Sequence, residues 1–163
     1  MISVKICGIT RVADAREAVE SGAAAVGLNF VPGTPRALDP ASAKQIGDAV
    51  AGRALRVGVF RDAPLERVRK VAAAVPLDVV QLHGDEPPEY VAAIELPVIK
   101  ALPADLDLAE RAARYPKVDL LLDHPSGGGS GQSWDFALCR PLVAAGRRVW
   151  LAGGLSPENV AAA

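Results

Sequence analysis

Short hydrophobic runs alternate strictly with segments of helical periodicity along the whole chain. Seven runs rich in Val, Ile and Leu predict β-strands, and apolar residues recur at helical spacing in the segment after each run. The predicted strands are residues 2–6, 25–30, 55–60, 77–82, 96–101, 118–123 and 147–153. The predicted helices are residues 11–22, 39–52, 63–75, 86–95, 105–115, 133–146 and 156–163. This order predicts an α/β protein.

The strand runs are almost continuously apolar, which is typical of strands buried on both faces of a parallel sheet. Two architectures have this pattern, a doubly wound open sheet and a (β/α)8 barrel. An open sheet of the Rossmann type would show Gly-x-Gly-x-x-Gly after an early strand, whereas the first strand here is followed by Cys-Gly-Ile-Thr. Polar residues collect at the carboxyl ends of several strands, where barrel enzymes build their sites. We therefore favour the barrel.

The number of β/α units falls one short of a closed barrel. Seven strands and a short last helix, residues 156–163, predict a member of the (β/α)8 TIM-barrel family with about seven units. We expect a single domain over residues 1–163, truncated at its carboxyl end. The unpaired strand edges of such a ring would favour self-association, or make the chain an inactive fragment that depends on assembly.

Charge and cysteine content restrict the class of partner and the compartment. The net charge is −1 with both signs interspersed, which argues against nucleic acid or an anionic membrane as partner and favours a small molecule. No apolar stretch approaches the roughly 20 residues that span a bilayer. The two cysteines, Cys7 and Cys139, lie far apart, and the amino terminus lacks a signal-peptide pattern. We expect a cytoplasmic protein with reduced thiols.

Five motifs together resemble one family, phosphoribosylanthranilate isomerase of tryptophan biosynthesis. They are VKICGIT at the first strand, GLNFVPGTPR at the second, VVQLHGDE at the fourth, LLLDHPSGGGSGQSWDF at the sixth and LAGGLSPENV at the seventh. Two departures from the family pattern, GTPR and SWDF, are conservative. The resemblance implies an Amadori rearrangement, in which an N-glycoside of anthranilate and ribose 5-phosphate becomes an aminodeoxyketose. That chemistry needs one acid and one base, and no cofactor.

The resemblance assigns the base to Cys7 and the acid to Asp123. Cys7 ends the first strand; a thiol needs a nearby cation or helix terminus to ionise at neutral pH, and Lys5 projects on the same side of the strand. An arbitrary cysteine in such a run is more often a small core residue. Asp123 ends the sixth strand, where a salt bridge or an exposed cap is the ordinary alternative. In a closed ring the two residues would flank a sugar phosphate.

Three polar side chains are candidate substrate ligands. Arg36 is expected to bind the carboxylate of anthranilate, because a guanidinium fork matches a carboxylate. Gln81 and His83 alternate onto one face of the fourth strand, which places both toward the same site. His83, Asp85 and Glu86 could suggest a metal site, but the only other histidine is His124. We therefore expect no metal.

Two glycine-rich segments are candidates for contact with the phosphate or for a lid. Gly128 and Gly129 lie in the run that follows Asp123, and their backbone could approach a ligand closely. Gly153 and Gly154 precede a predicted helix start, where backbone N–H groups bind phosphate.

A different chemistry is also compatible with the sequence. Lys5 and Lys100 lie on predicted strands, and a desolvated lysine could form a Schiff base with a carbonyl substrate, as in an aldolase built on the same barrel.

Overall fold

A computed structural model describes residues 3–126 and 133–161 of the chain. Its elements, in chain order, are β1 (Lys5–Cys7), α1 (Val12–Glu20), β2 (Ala25–Asn29), α2 (Pro40–Val50), β3 (Leu55–Phe60), α3 (Leu65–Ala74), β4 (Val79–Leu82), α4 (Pro88–Ala92), β5 (Val98–Pro103), α5 (Leu108–Ala113), β6 (Asp119–Asp123), a 3-10 turn (Phe136–Cys139), α6 (Arg140–Ala144) and β7 (Val149–Leu151). No helix within the described residues has the length and hydropathy needed to cross a bilayer. Strand and helix alternate as predicted.

The chain divides into two compact units, Met1–Val98 and Ile99–Ala163. In the amino-terminal unit the strands are parallel in the order β1-β2-β3-β4. In the carboxyl-terminal unit the order is β5-β6-β7, also parallel. Parallel neighbours joined by a helix are the βα pattern that near-continuous apolar strands predict. The expectation of one domain over residues 1–163 stays a prediction.

Most predicted elements form within a few residues of their expected bounds, and the last helix is the exception. In the described part of 156–163 the chain makes a single turn, in which the Val160 N–H donates to the Ser156 carbonyl at 2.9 Å. The segment 133–146 also splits into a 3-10 turn and a short helix, α6. Pro141 explains the break, because proline has no N–H to donate and fits best in the first turn of a helix.

Local signals account for well-formed helix α2. Asp39 caps it, and its Oδ1 accepts hydrogen bonds from the backbone N–H groups of Ala41 (2.9 Å) and Ser42 (3.0 Å). Pro40 occupies the first helical position, where its fixed φ suits the helix. The apolar side of α2 is buried, with Ile46 and Val50 inaccessible to solvent. Capping and amphipathicity thus agree with the prediction for residues 39–52.

A bidentate ion pair connects the start of β3 to the turn that precedes β4. Nε and Nη2 of Arg56 donate to the Asp78 carboxylate at 2.8 and 2.9 Å, and the Arg56 backbone N–H donates to the same carboxylate at 2.8 Å. The hydrogen bond from the Arg56 side chain, opposed by burial, holds the pKa of Asp78 below its ordinary value. The charged form of Asp78 therefore stabilises the folded state.

This ion pair predicts a stability loss that depends on pH. Because the folded-state pKa of Asp78 is lowered, its contribution is complete above the unfolded pKa of about 3.9 and disappears as the pH falls through the folded value. Asp78→Asn should lower the free energy of unfolding at pH 7 by about 2 kcal/mol. Urea unfolding should show that the difference in free energy of unfolding between the parent chain and Asp78→Asn decreases below about pH 4. Glu95→Gln, at an exposed carboxylate, is the matched control and should change stability by less than about 0.5 kcal/mol.

Candidate functional site

Cys7 lies on one face of the four-stranded sheet of the amino-terminal unit. The strand register places Cys7, Gly27, Val57 and Val79 in one row across this sheet. Residues two apart on a strand share a face, so the next row toward the carboxyl ends contains Asn29, Val59 and Gln81. We call this the Cys7 face and define it by these seven residues. As predicted, the thiol stands where β1 ends and is solvent-exposed.

A glycine beside Cys7 makes room for its sulfur. A Cβ placed on Gly27 would lie 2.6 Å from Sγ of Cys7, closer than real atoms approach. Gly27 is a fully buried member of β2, and a glycine inside a strand often marks such a close approach. The position of the thiol therefore depends on the absence of a side chain at residue 27.

Gly27→Ala should displace Cys7, including its backbone, because a Cβ at residue 27 would lie 3.1 Å from Cα of Cys7. The added methyl group meets Sγ of Cys7, the nearest atom, so the side chain must shift. The resemblance implies that Cys7 is the base, and a displacement of about 1 Å at such a group can cost about 100-fold in rate, so we expect that loss in kcat/KM of the reaction that the resemblance implies. Gly47→Ala, in α2, is the control, since its methyl would meet Cδ of Arg56 at 3.3 Å and Cδ1 of Leu28 at 4.0 Å and would not contact Cys7. Equal activity of the two variants would refute the role of Gly27.

Arg36 packs against the backbone that follows Cys7. A Cβ on Gly8 would lie 2.5 Å from Cδ of Arg36 and 3.0 Å from Nη1. Gly8 has φ of 78°, a backbone conformation that glycine adopts without strain. Gly8, the residue after Cys7, therefore has a left-handed backbone conformation and lies in direct contact with the Arg36 side chain. Within the described residues no carboxylate is paired with this guanidinium.

The loop that carries Arg36 is held by the side chain of Asn29. Nδ2 of Asn29 donates to Oγ1 of Thr34 at 3.0 Å, and Oδ1 accepts from the Val31 N–H at 2.9 Å. The Asn29 carbonyl accepts from the Leu38 N–H at 2.8 Å, beyond Arg36. Asn29 is buried at the end of β2. Asn29 is not among the residues predicted from the sequence, although a polar residue that ends an apolar strand was an available signal.

Gln81 and His83 are adjacent, as their spacing on β4 predicted. Nε2 of Gln81 lies 3.0 Å from Nδ1 of His83. Gln81 is only 2% exposed, and its Oε1 is buried with no hydrogen-bond partner among residues 3–126 and 133–161. His83 is half-buried, and its backbone N–H donates to the Phe60 carbonyl at 2.8 Å. The pair lies on or next to the Cys7 face, at the carboxyl end of β4.

Glu86 is a buried structural residue, and the sequence did not predict this. Asp85, the acidic residue before it, is exposed. Glu86 is 3% exposed and accepts from the Asp62 N–H (2.9 Å) and the Gly84 N–H (3.0 Å). Burial and, secondarily, the Glu86 charge raise the pKa of Tyr90, whose hydroxyl donates to the Ala63 carbonyl at 2.7 Å. These contacts join the loops after β3 and β4.

In the carboxyl-terminal unit, Asp123 ends β6 and is almost inaccessible. Its side chain is 5% exposed, and Oδ1 accepts from the His124 N–H at 2.8 Å. Its carbonyl accepts from the Ala104 N–H at 2.9 Å, beyond the end of β5. A Cβ on Gly153 would lie 2.6 Å from Oδ1 of Asp123, so this glycine closes over the carboxylate. The end of β7 therefore supplies close backbone contact to the predicted acid.

Gly153 and Gly154 both have positive φ, 80° and 66°, but no helix follows them in the described residues. Instead, Asn159 fixes the turn: its Nδ2 donates to the Gly154 carbonyl at 2.8 Å and its Oδ1 accepts from the Ser156 N–H at 2.8 Å. Gly128 and Gly129, also predicted to contact substrate, lie outside the described residues.

Lys100 is poorly placed for Schiff-base chemistry. Residues 101 and 103 pair in register with Leu121 and Asp123, so Lys100, one residue before Ala101, faces the opposite side of its sheet from Asp123. Its ammonium donates to the Ala101 carbonyl at 3.1 Å and lies 5.8 Å from the centre of the Tyr115 ring. At 1% exposure it has no room for a carbonyl substrate. The alternative that uses Lys100 is therefore not supported.

Comparison with known proteins places the chain in a family. The model of the N-(5′-phosphoribosyl)anthranilate isomerase family matches residues 4–163. The chain belongs to this family. An N-(5′-phosphoribosyl)anthranilate isomerase of Rubrobacter xylanophilus is 45% identical over the full chain, which covers 82% of that relative. The family resemblance predicted from five motifs is confirmed.

Solved structures of this isomerase family have the same fold. The Thermotoga maritima phosphoribosyl anthranilate isomerase superposes with a TM-score of 0.93 at 42% identity, covering 99% of this chain and 82% of that one. A structure with a TM-score of 0.89 and 40% identity, covering 99% of this chain and 80% of that one, holds reduced 1-(o-carboxyphenylamino)-1-deoxyribulose 5-phosphate. The predicted class, α/β of the (β/α)8 TIM-barrel family with seven units in this chain, is confirmed.

Proposed function

We propose that the chain catalyses the Amadori rearrangement of N-(5-phosphoribosyl)anthranilate to 1-(2-carboxyphenylamino)-1-deoxyribulose 5-phosphate, a step of tryptophan biosynthesis. The observation that carries this proposal is the family match over residues 4–163. A relative that binds the reduced product supports the same substrate class. The reaction moves protons and electrons within one molecule, so it needs acid and base groups and no external oxidant or reductant.

We propose Asp123 as the general acid and Cys7 as the general base. The acid protonates the ring oxygen of the ribose, the C1′–O bond breaks, and the anthranilate nitrogen supplies the electron pair that forms the iminium. The base then removes the proton on C2′, and the C–H electrons form the enolamine. Protonation at C1′ and loss of the C2′ hydroxyl proton give the ketone. The exposed thiol that ends β1 and the carboxylate that ends β6 support these roles.

Three side chains of the amino-terminal unit are proposed ligands of the substrate. The Arg36 guanidinium would pair with the carboxylate of the anthranilate ring, an assignment supported by its lack of a carboxylate partner among the described residues. Gln81 and His83 would contact the sugar or the ring, supported by their position at the carboxyl end of β4. Each of these side chains lies at the end of the strands where barrel sites form.

Glycines of the carboxyl-terminal unit are proposed to bind the phosphate group of the substrate. Gly153 and Gly154 adopt positive φ after β7, a conformation in which successive N–H groups can point toward an anion. Gly128 and Gly129 are proposed to approach the same ligand through their backbone. Binding of the phosphate group then positions C1′ and C2′ of the substrate for proton transfer.

Turnover of N-(5-phosphoribosyl)anthranilate, followed by the change in anthranilate fluorescence, tests this proposal directly. A first-order decay that depends on enzyme concentration supports it. Absence of turnover, together with borohydride trapping of a covalent sugar-phosphate adduct on Lys5 or Lys100, would replace it with the Schiff-base reaction. Absence of turnover and of any adduct would favour the assembly-dependent fragment considered from the sequence.

We also propose a cytoplasmic location. Both cysteines are free, Cys7 at the surface and Cys139 half-buried, which suits a reducing compartment. The chemistry proposed for Cys7 requires a thiol that stays reduced.

We further propose that the chain self-associates through the β1 edge of its amino-terminal unit. Within the described residues β1 pairs only with β2, and Val4 and Ile6 expose their side chains beside a groove lined by α1. A 39%-identical relative from Thermotoga maritima is described as a dimeric enzyme from which monomers were generated. Ile6→Lys should shift the chain from dimer to monomer in sedimentation equilibrium. A monomeric parent chain at micromolar concentration would refute the proposal.

A further inference from the structure

We propose that Gln81 is a positioning residue that fixes the imidazole of His83 as the tautomer with its proton on Nε2. The inference rests on the proposed function, because it assigns the way in which one proposed substrate ligand is prepared. In this role Gln81 acts through His83, in addition to the substrate contact proposed for it above.

The donor in the contact determines the tautomer. Nε2 of Gln81 belongs to an NH2 group, which can only donate, and it lies 3.0 Å from Nδ1 of His83. Nδ1 must therefore present its lone pair, and the proton of the neutral ring must be on Nε2. The far edge of the imidazole is then a donor, suited to a carboxylate, phosphate or hydroxyl oxygen of a ligand.

The Gln81 amide is held in a fixed position, so it can determine the tautomer of His83. Gln81 is a strand residue with 2% exposure, so its side chain has little freedom to rotate. The backbone of His83 is fixed by its hydrogen bond to the Phe60 carbonyl at 2.8 Å. With both backbones held, the side-chain contact determines the ring orientation and its proton position.

The other end of the same amide makes Gln81 costly to bury. Its Oε1 is buried and accepts no hydrogen bond from the described residues, and burying an unpaired acceptor costs free energy of folding. An apolar side chain of similar length would fill the same space without that cost. A residue that breaks a packing rule in this way is expected where function requires it. We assign this functional role of Gln81 to its contact with His83.

Ring 15N chemical shifts of the ligand-free protein test the tautomer without any activity assay. The sequence contains two histidines, so His124→Asn assigns the His83 signals. The parent chain should show the Nε2–H form. Gln81→Glu should switch the ring to Nδ1–H, because a carboxylate only accepts, and Gln81→Met should leave a mixture of the two forms. A parent spectrum with the proton on Nδ1 would overturn the proposal.

Kinetics and unfolding complete the test. Gln81→Met and Gln81→Glu should lower kcat/KM by about 10- to 100-fold, the range seen when an orienting partner of an imidazole is removed. Gln81→Met should also unfold at an equal or higher urea concentration than the parent, since an unpaired acceptor is gone. Gln45→Met, at an exposed position of α2, is the matched control and should leave tautomer and rate unchanged. Loss of stability in Gln81→Met with an unchanged tautomer would make Gln81 merely structural.

The two proposals can fail separately. If the tautomer behaves as described and N-(5-phosphoribosyl)anthranilate is not converted, the positioning role stands and the proposed reaction fails. If the chain converts the substrate and the three spectra are identical, the reaction stands and the positioning role fails.

Discussion

Cys7→Ala should lower kcat for N-(5-phosphoribosyl)anthranilate by about 100- to 10,000-fold, the contribution of a positioned general base. The thiol is exposed at the end of β1, and alanine removes the only proton acceptor that this residue offers. KM should change little, because the reacting C2′ proton contributes nothing to ground-state binding. Steady-state fluorescence kinetics separate the two parameters.

The second cysteine provides the control for this experiment. Cys139 is a free, half-buried thiol in the 3-10 turn, and Cys139→Ala should leave kcat unchanged. Cys7→Ser is a sharper probe, since a hydroxyl is a far weaker acid than a thiol and is a poor source of the anionic base. A Cys7→Ala variant with the parent rate would remove the thiol from the mechanism.

Strand and helix order was predictable because it depends on local pattern. The run LRVGVF forms β3 at the expected bounds, Leu55–Phe60, and Asp39-Pro40 starts α2 as its capping chemistry predicts. The helix expected at 156–163 depends on contacts that propensity alone does not supply, since isolated short helices are marginal in water. The described part of this segment forms a single turn, in which the Val160 N–H donates to the Ser156 carbonyl.

The candidate side chains were predictable from their position at strand ends, whereas the residues that hold them were not. Cys7 and Arg36 come from recognisable motifs, but the space for Sγ at Gly27 depends on register between β1 and β2. Glu86 accepts from a backbone N–H 24 residues earlier in the chain, at Asp62. Such contacts depend on tertiary structure, and a single sequence does not encode them in any short pattern.

Asp123→Asn should lower kcat by about 100- to 10,000-fold, because an amide cannot deliver a proton to the ring oxygen. The substitution is nearly isosteric, and the amide oxygen can still accept the 2.8 Å hydrogen bond from the His124 N–H. That hydrogen bond is therefore kept while the acidity of the side chain is lost. Binding of the reduced product should persist, since that ligand requires no proton transfer. Isothermal titration with this ligand measures the retained affinity.

Asp119→Asn separates loss of the acid from damage to the strand. Asp119 begins β6, at the opposite end from Asp123, and its carboxylate pairs with Nε of Arg148 at 2.9 Å. Arg148 is exposed, whereas the Asp119 side chain is 21% exposed and also accepts from Nε1 of Trp150 at 3.4 Å. Removing its charge should cost about 1 kcal/mol of stability and leave kcat unchanged. If Asp119→Asn were as inactive as Asp123→Asn, the effect would come from the fold of β6. If Asp123→Asn kept the parent kcat, another group would have to protonate the ring oxygen, and the proposed assignment of the acid would fail.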